Sequence, residues 1–234
     1  MATPSSTSER FAAVRARIAA AAQQAGRPAA GITLIAVGKQ QSANAIAALA
    51  DLGQRDFGEN YLQEALDKMA RLRERALHWH FIGQLQANKT RAVAENFSWV
   101  HTIDRAKIAL RLAEQRPDHA PPLEVCVQVK LGDEDTKGGV APAELPALLA
   151  TVAELAPLRL RGLMALPPAE AEQARQRHWF AALRRLFEAA RSDHPLMDTL
   201  SMGMSGDLEA AILEGATQVR IGSALFGERL QSPT

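Results

Sequence analysis

Short apolar runs alternate with longer stripes of helically spaced apolar residues along almost the whole chain. The opening segment, residues 8–25, carries Phe11, Val14, Ile18 and Ala22 on one stripe, which predicts an amphipathic helix. Gly26-Arg27-Pro28 stops it. Residues 32–38 then read as a buried strand, and a helical pattern follows over 43–52. The same pairing recurs. Strand-like segments fall at 55–58, 79–83, 99–103, 123–129, 158–165, 199–202 and 218–221. Helical segments follow them at 61–75, 89–95, 104–116 with Asp104 as N-cap, 142–155, 169–191 and 207–214, with a short last helix ending at Leu230. Alternation of strand and helix predicts a parallel sheet. Eight such units in 234 residues predict an α/β fold: a single-domain (β/α)8 TIM barrel over residues 1–234, with an extra N-terminal helix and residues 1–7 disordered.

Composition changes this picture little. The chain is 47% hydrophobic and 23% charged, as expected of a globular domain with a large core. Its net charge is +1 with no long block of one sign, which argues against nucleic acid or an anionic membrane as partner. No apolar run is long enough to span a bilayer, and residues 1–10 lack the apolar stretch of a secretory signal. Cys126 is the only cysteine and cannot form an internal disulfide, so the expected location is cytoplasmic. It lies inside an apolar strand and reads as a small buried filler.

In a barrel of this type, chemistry sits at the C-terminal ends of the strands. Lys39 ends the first apolar run, where a desolvated amine can form a Schiff base. Two later loops have the makings of a phosphate grip. Ser201, Gly203 and Ser205 follow the seventh strand, and Gly222-Ser223 follows the eighth and opens a short helix. An early Schiff-base lysine with late phosphate loops points to pyridoxal 5′-phosphate. Arg220 lies in the eighth strand, where it would face the pyridine nitrogen or pair with a neighbouring strand. His78 and His80 flank Trp79 but have no ligand-spaced acidic or cysteine partner, so no metal site is expected, and His80 should pack within or beneath the barrel. Gly203-Met204-Ser205-Gly206 is not a nucleophile elbow. Lys137 sits in a charged loop at the expected mouth, as a solvated side chain or a second amine.

The strings Ala36-Val37-Gly38-Lys39, the run from Phe57 to Glu64 and the run from Trp79 to Lys89 together resemble the pyridoxal phosphate homeostasis protein family, the alanine racemase N-terminal-domain-like proteins. Gly162-Leu163-Met164, the run from Leu200 to Ser205 and the run from Val219 to Gly227 extend the match over nearly the whole chain. The resemblance implies a fold-type III barrel with pyridoxal phosphate on Lys39 and Asn60 nearby. It implies phosphate contacts from the Ser201 to Ser205 loop and from Gly222-Ser223, and Arg220 at the ring nitrogen. The chain departs from the family at Gly38, where Ser or Thr is usual, at Gln41, where a second lysine is expected, and at Lys130, where Asn is usual.

The same resemblance implies a protein that holds or delivers the cofactor in vitamin B6 homeostasis, with pyridoxal phosphate-dependent apoenzymes as partners and a monomeric or weakly dimeric state. The competing function is an amino-acid racemase. Racemases of this fold add a C-terminal domain that supplies a tyrosine base. This chain ends at Thr234, and its one tyrosine is Tyr61, so no catalytic residues are expected. A phosphosugar-binding barrel would share the phosphate loops and leave Lys39 unexplained.

Overall fold

The computed structural model describes residues 6–132 and 138–227. Eight parallel strands close into a barrel: β1 (Thr33–Val37), β2 (Asp56–Glu59), β3 (His78–Phe81), β4 (Trp99–Ile103), β5 (Leu123–Val129), β6 (Leu158–Ala165), β7 (Thr199–Ser201) and β8 (Gln218–Ile221). They pair in chain order, and β8 returns to β1 with Leu34 opposite Val219 and Ala36 opposite Ile221. Helix α1 (Thr7–Gln24) precedes the barrel. Each strand is followed by a helix: α2 (Ala43–Asp51), α3 (Leu62–Arg71), α4 (Thr90–Asn96), α5 (Ala106–Gln115), α6 (Leu145–Ala153), α7 (Gln173–Ala190), α8 (Leu208–Leu213) and α9 (Ser223–Phe226). The expected (β/α)8 barrel is what the chain forms.

Strand alternation sorts the side chains into two layers. Leu34, Phe57, Phe81, Val125, Leu163 and Val219 face outward and join the helices in one apolar cluster. The lumen is more polar. His101 of β4 hydrogen-bonds Ser201 of β7, and these strands are not neighbours in the sheet, so the contact crosses the interior.

Some boundaries differ from the sequence reading. Asp104 does not cap α5. The N-cap is Arg105, in extended conformation, and Asp104 instead accepts a hydrogen bond from its guanidinium at 2.7 Å. Ser6 and Thr7, expected in a disordered leader, open α1. The Ser6 hydroxyl accepts from the Glu9 N–H, and the Glu9 carboxylate accepts from the Ser6 N–H, a capping box. The rest of that leader, and the end of the last helix at Leu230, lie outside the described residues.

Helix α1 packs on α8 and α9. Arg17 grips Glu209 at 2.6 and 2.9 Å and donates to the Ser205 carbonyl at 3.0 Å, while Arg10 donates to the Leu225 carbonyl at 2.8 Å. The added helix thus braces the loop after β7 and the helix after β8.

Candidate functional site

Lys39 follows β1 within a tight turn. The Gln41 N–H donates to the Gly38 carbonyl at 2.9 Å. Gln40, the third residue of the turn, has φ 61°, a conformation L side chains disfavour. Glu64 of α3 holds it there by accepting the Gln40 N–H at 2.5 Å. Beneath the turn lies Lys68, also on α3 and buried. Its ammonium has three donors and uses all of them, to the Gly38 carbonyl at 2.6 Å, Glu59 Oε1 at 2.8 Å and Glu64 Oε1 at 2.5 Å. Burial pushes the Glu59 carboxyl up to about 7, against the pull of Lys68. A Cβ on Gly38 would lie 2.6 Å from Ile46 Cδ1 and 2.7 Å from Glu59 Oε1. The bare backbone at this position leaves Glu59 room to reach Lys68.

Lys39 lines a cavity of about 420 Å³ at the C-terminal mouth, with Val37, Asn60, Ile82, Leu166, Pro167, Met204, Ser205, Gly206, Arg220, Gly222 and Ser223. Among the described residues its ammonium has no hydrogen-bonding or ionic partner. Opposite are the loops after β7 and β8, whose Ser205 and Ser223 hydroxyls approach to 3.4 Å. The Asn60 side-chain carbonyl is buried with no partner among the described residues.

Arg220 is 3% exposed. It donates through Nη1 to the Ser201 hydroxyl at 2.8 Å and through Nη2 to the Ala165 carbonyl at 2.9 Å. Burial lowers its pKa to about 10, opposed by the more distant charge of Asp207. It therefore remains a cation at neutral pH, hydrogen-bonded to neutral acceptors.

The structure thus brings Lys39, Asn60, Ser205, Arg220, Gly222 and Ser223 around one cavity. Ser201 and Gly203 are placed differently. Ser201 is buried in the barrel lumen, with its hydroxyl committed to Arg220 and His101 rather than to the cavity. Gly203 shapes the loop from behind. Its φ is 95°, its carbonyl accepts the Arg220 N–H at 2.9 Å, and an added Cβ would sit 2.6 Å from the Ala211 Cβ. His80 packs inside the barrel, as expected. Cys126 is buried too, and burial pushes its thiol pKa up. Tyr61 is an exposed residue at the start of α3, and neither it nor Lys130 lines the cavity. Lys137 lies outside the described residues. Among the described residues, no group of three His, Cys, Asp or Glu is placed to hold a metal ion, and no helix is long and apolar enough to cross a membrane.

Sequence reasoning gave no role to Lys68, Glu59, Glu64, His101 or Asp56. Lys68 left a signal: it falls in the stripe formed by Ala65 and Leu72, where a charge has to be paired. His101 left a fainter one, as a second histidine inside a barrel strand.

A family model described as the alanine racemase N-terminal domain matches residues 10–230. A pyridoxal phosphate homeostasis protein of Pseudomonas aeruginosa is 56% identical over 225 residues, 96% of each chain. The chain belongs to the pyridoxal phosphate homeostasis protein family. The Escherichia coli protein of that name is 52% identical over 222 residues, covering 94% of this chain and 95% of its own. Among solved structures, PipY of Synechococcus elongatus with pyridoxal phosphate bound is 36% identical, with a TM-score of 0.85 over 95% of this chain and 100% of that one. An alanine racemase from Clostridium difficile shares the fold alone, at 16% identity and a TM-score of 0.68, covering 92% of this chain and 56% of that one. The resemblance read from the strings around Lys39, Asn60 and Gly222 is therefore family membership, and in this pyridoxal phosphate homeostasis family member those strings meet at one cavity.

Proposed function

We propose that this protein binds pyridoxal 5′-phosphate in the C-terminal mouth of its barrel and serves intracellular vitamin B6 homeostasis by holding the cofactor and delivering it to apoenzymes. The observation that carries the reading is the Lys39 amine, without a partner among the described residues, sharing one cavity with Arg220 and with the converging Ser205 and Ser223 hydroxyls. Three further features suit an anionic, heteroaromatic guest: a buried cation without a carboxylate hydrogen-bonded to it, an unpartnered Asn60 carbonyl, and a Gly206 beside which an added Cβ would meet only open space. The relatives named for pyridoxal phosphate homeostasis, and PipY with the cofactor bound, support it.

In this reading Lys39 anchors the cofactor's aldehyde carbon, and Ser205, Gly222 and Ser223 receive its phosphate. Arg220 donates toward the ring nitrogen. The bound cofactor supplies an electrophilic carbon for amines and a ring that withdraws electrons from whatever is attached there. Two-sided proton transfer needs an acid or base on each face of the reacting carbon. Among the described residues lining the cavity, only Lys39 and Arg220 are ionisable, and Arg220 stays protonated. We therefore assign retention and release, rather than efficient racemisation, to this site.

Absorbance and peptide mapping test the assignment. The purified protein should be yellow, and borohydride should fix the cofactor to the peptide containing Lys39. Lys39→Ala should be colourless. Label recovered on Lys130 or Lys137 would refute the site. Pyridoxal lacking the phosphate should bind more weakly by orders of magnitude, since hydrogen bonds to a charged group are worth about 1.5–3 kcal/mol each. Incubation with L- and D-alanine in heavy water should show at most slow loss of the α-proton, and interconversion at ordinary enzyme rates would restore the racemase reading.

A further inference from the structure

A continuous line of hydrogen bonds runs through the barrel lumen and ends at Arg220. His80 Nε2 is 3.1 Å from Asp56 Oδ1, and His80 Nδ1 is 3.0 Å from His101 Nε2. His101 Nδ1 is 2.8 Å from the Ser201 hydroxyl, which also accepts from Arg220 Nη1 at 2.8 Å. Both histidines are fully buried, while Asp56 is partly exposed and also meets the exposed His78 at 3.2 Å.

The chemistry of the two ends fixes every proton in between. A guanidinium only donates, so the Ser201 oxygen accepts from it, and among the described residues the hydroxyl proton has His101 Nδ1 as its acceptor within reach. His101 Nδ1 is therefore an acceptor, and the proton of a neutral ring sits on Nε2, pointing at His80 Nδ1. At the far end an ionised carboxylate only accepts, so His80 carries its proton on Nε2 and its Nδ1 accepts. The carboxylate at Asp56 sets this pair of tautomers, and the Arg220 end accommodates it. The line has one direction, with each group donating toward Asp56.

Electrostatics agrees. Burial lowers the pKa of both histidines, His101 furthest, with the charge of Arg220 adding to burial there. Burial pushes the Asp56 carboxyl up, but the hydrogen bonds from His80 and His78 oppose it, and the group stays below its usual range. An added proton on either imidazole would put a donor on both of its nitrogens. His101 would then donate to Ser201, and the serine proton would lose its acceptor.

We infer that Asp56, His80 and His101 are positioning residues for the cofactor's ring end. They fix the orientation of Ser201, which together with the Ala165 carbonyl aims the Arg220 guanidinium at the cavity. This inference rests on the cofactor site proposed above. It also gives the serine expected at the phosphate a different task, and it links Asp56 to Arg220 at the cavity wall through three intervening side chains.

The test has two arms. In full-length protein labelled with ¹⁵N-histidine, long-range ¹⁵N–¹H correlation NMR should show His80 and His101 as neutral Nε2–H tautomers at neutral pH. An Nδ1–H or doubly protonated ring at either position overturns the inference, and this arm needs neither cofactor nor variant. In the second arm pyridoxal phosphate is titrated into Asp56→Ala, His101→Leu and His101→Gln. The first two should shift the visible absorption band and weaken binding about tenfold, the scale of one hydrogen bond to a charged group. Glutamine keeps one donor and one acceptor and should restore most of what leucine loses. Wild-type band and affinity in both Asp56→Ala and His101→Leu would overturn the inference while leaving the site intact. If the wild-type protein takes up no pyridoxal phosphate, the cofactor reading itself fails and the positioning role falls with it, a result separable from the tautomer assignment.

Discussion

One ammonium beneath the Lys39 turn neutralises two carboxylates, and the imbalance has a measurable consequence. Glu59 is raised from 4.5 to about 7 in the folded protein, chiefly by burial. Between those values the folded state binds a proton that the unfolded state does not. Its stabilising effect is complete below about pH 4.5 and is lost as pH rises through about 7. Urea unfolding should therefore find the protein less stable at pH 8 than at pH 5.5, by on the order of 1–3 kcal/mol from this group. Glu59→Gln should reduce that difference, and an unchanged pH dependence in the variant would contradict the assignment. Gln40 gives a second test at this scale. Its φ of 61° suits glycine, so Gln40→Gly should be tolerated, whereas Gln40→Val should lower stability by about 1–2 kcal/mol in thermal melts. Lys39 and Arg220 were legible in the sequence because each sits at a strand end or in a short strand, where position implies direction. Ser201 was misplaced because β7 ends on it, so it points into the lumen one residue before the loop begins. The contacts of Lys68 and His101 were illegible because their partners are set by the closure of the barrel.

Strands and helices differed in how clearly the sequence announced them. The bounds of β4, β5, β6 and β8 match those read from the sequence. Helix ends were harder. Helices α1 and α2 have side-chain caps, Ser6 and Ser42, but α3 and α5 have none, so their starts carry no capping residue to read. Close approach between elements is set by glycine at two junctions. A Cβ on Gly83 would fall 2.1 Å from the Asn60 carbonyl oxygen, and one on Gly162 would fall 1.8 Å from that of Thr199. Gly83→Ala should therefore displace Asn60 and weaken cofactor binding, while Gly206→Ala, at a loop position with open space, should leave thermal stability within about 0.5 kcal/mol of wild type. Equal losses of stability in both variants would show that packing at Gly83 is not the constraint. The brace from α1 is weaker. Arg17 and Glu209 are both about one third exposed, so Arg17→Ala should cost about 1 kcal/mol or less, with the larger effect on order in the Ser205 loop, read by amide hydrogen exchange.

At the scale of the whole molecule, period and count were enough to give the architecture, because eight strand-helix units of this length have few ways to bury their apolar faces. His80 and Arg220 were expected inside the barrel, but their partners were not, since alternation marks a position as inward without saying what it meets there. Closure of the sheet leaves no unpaired strand among the eight. A partner therefore cannot join this protein by adding a strand, the route open to proteins with a free sheet edge. The lumen is filled by side chains such as His80, His101 and Arg220, so a guest cannot pass through to the other end. Among the described residues the cavity opens at the rim formed by Lys39, Met204, Ser205 and Ser223, so the proposed delivery role has an acceptor bring its own empty site to that rim.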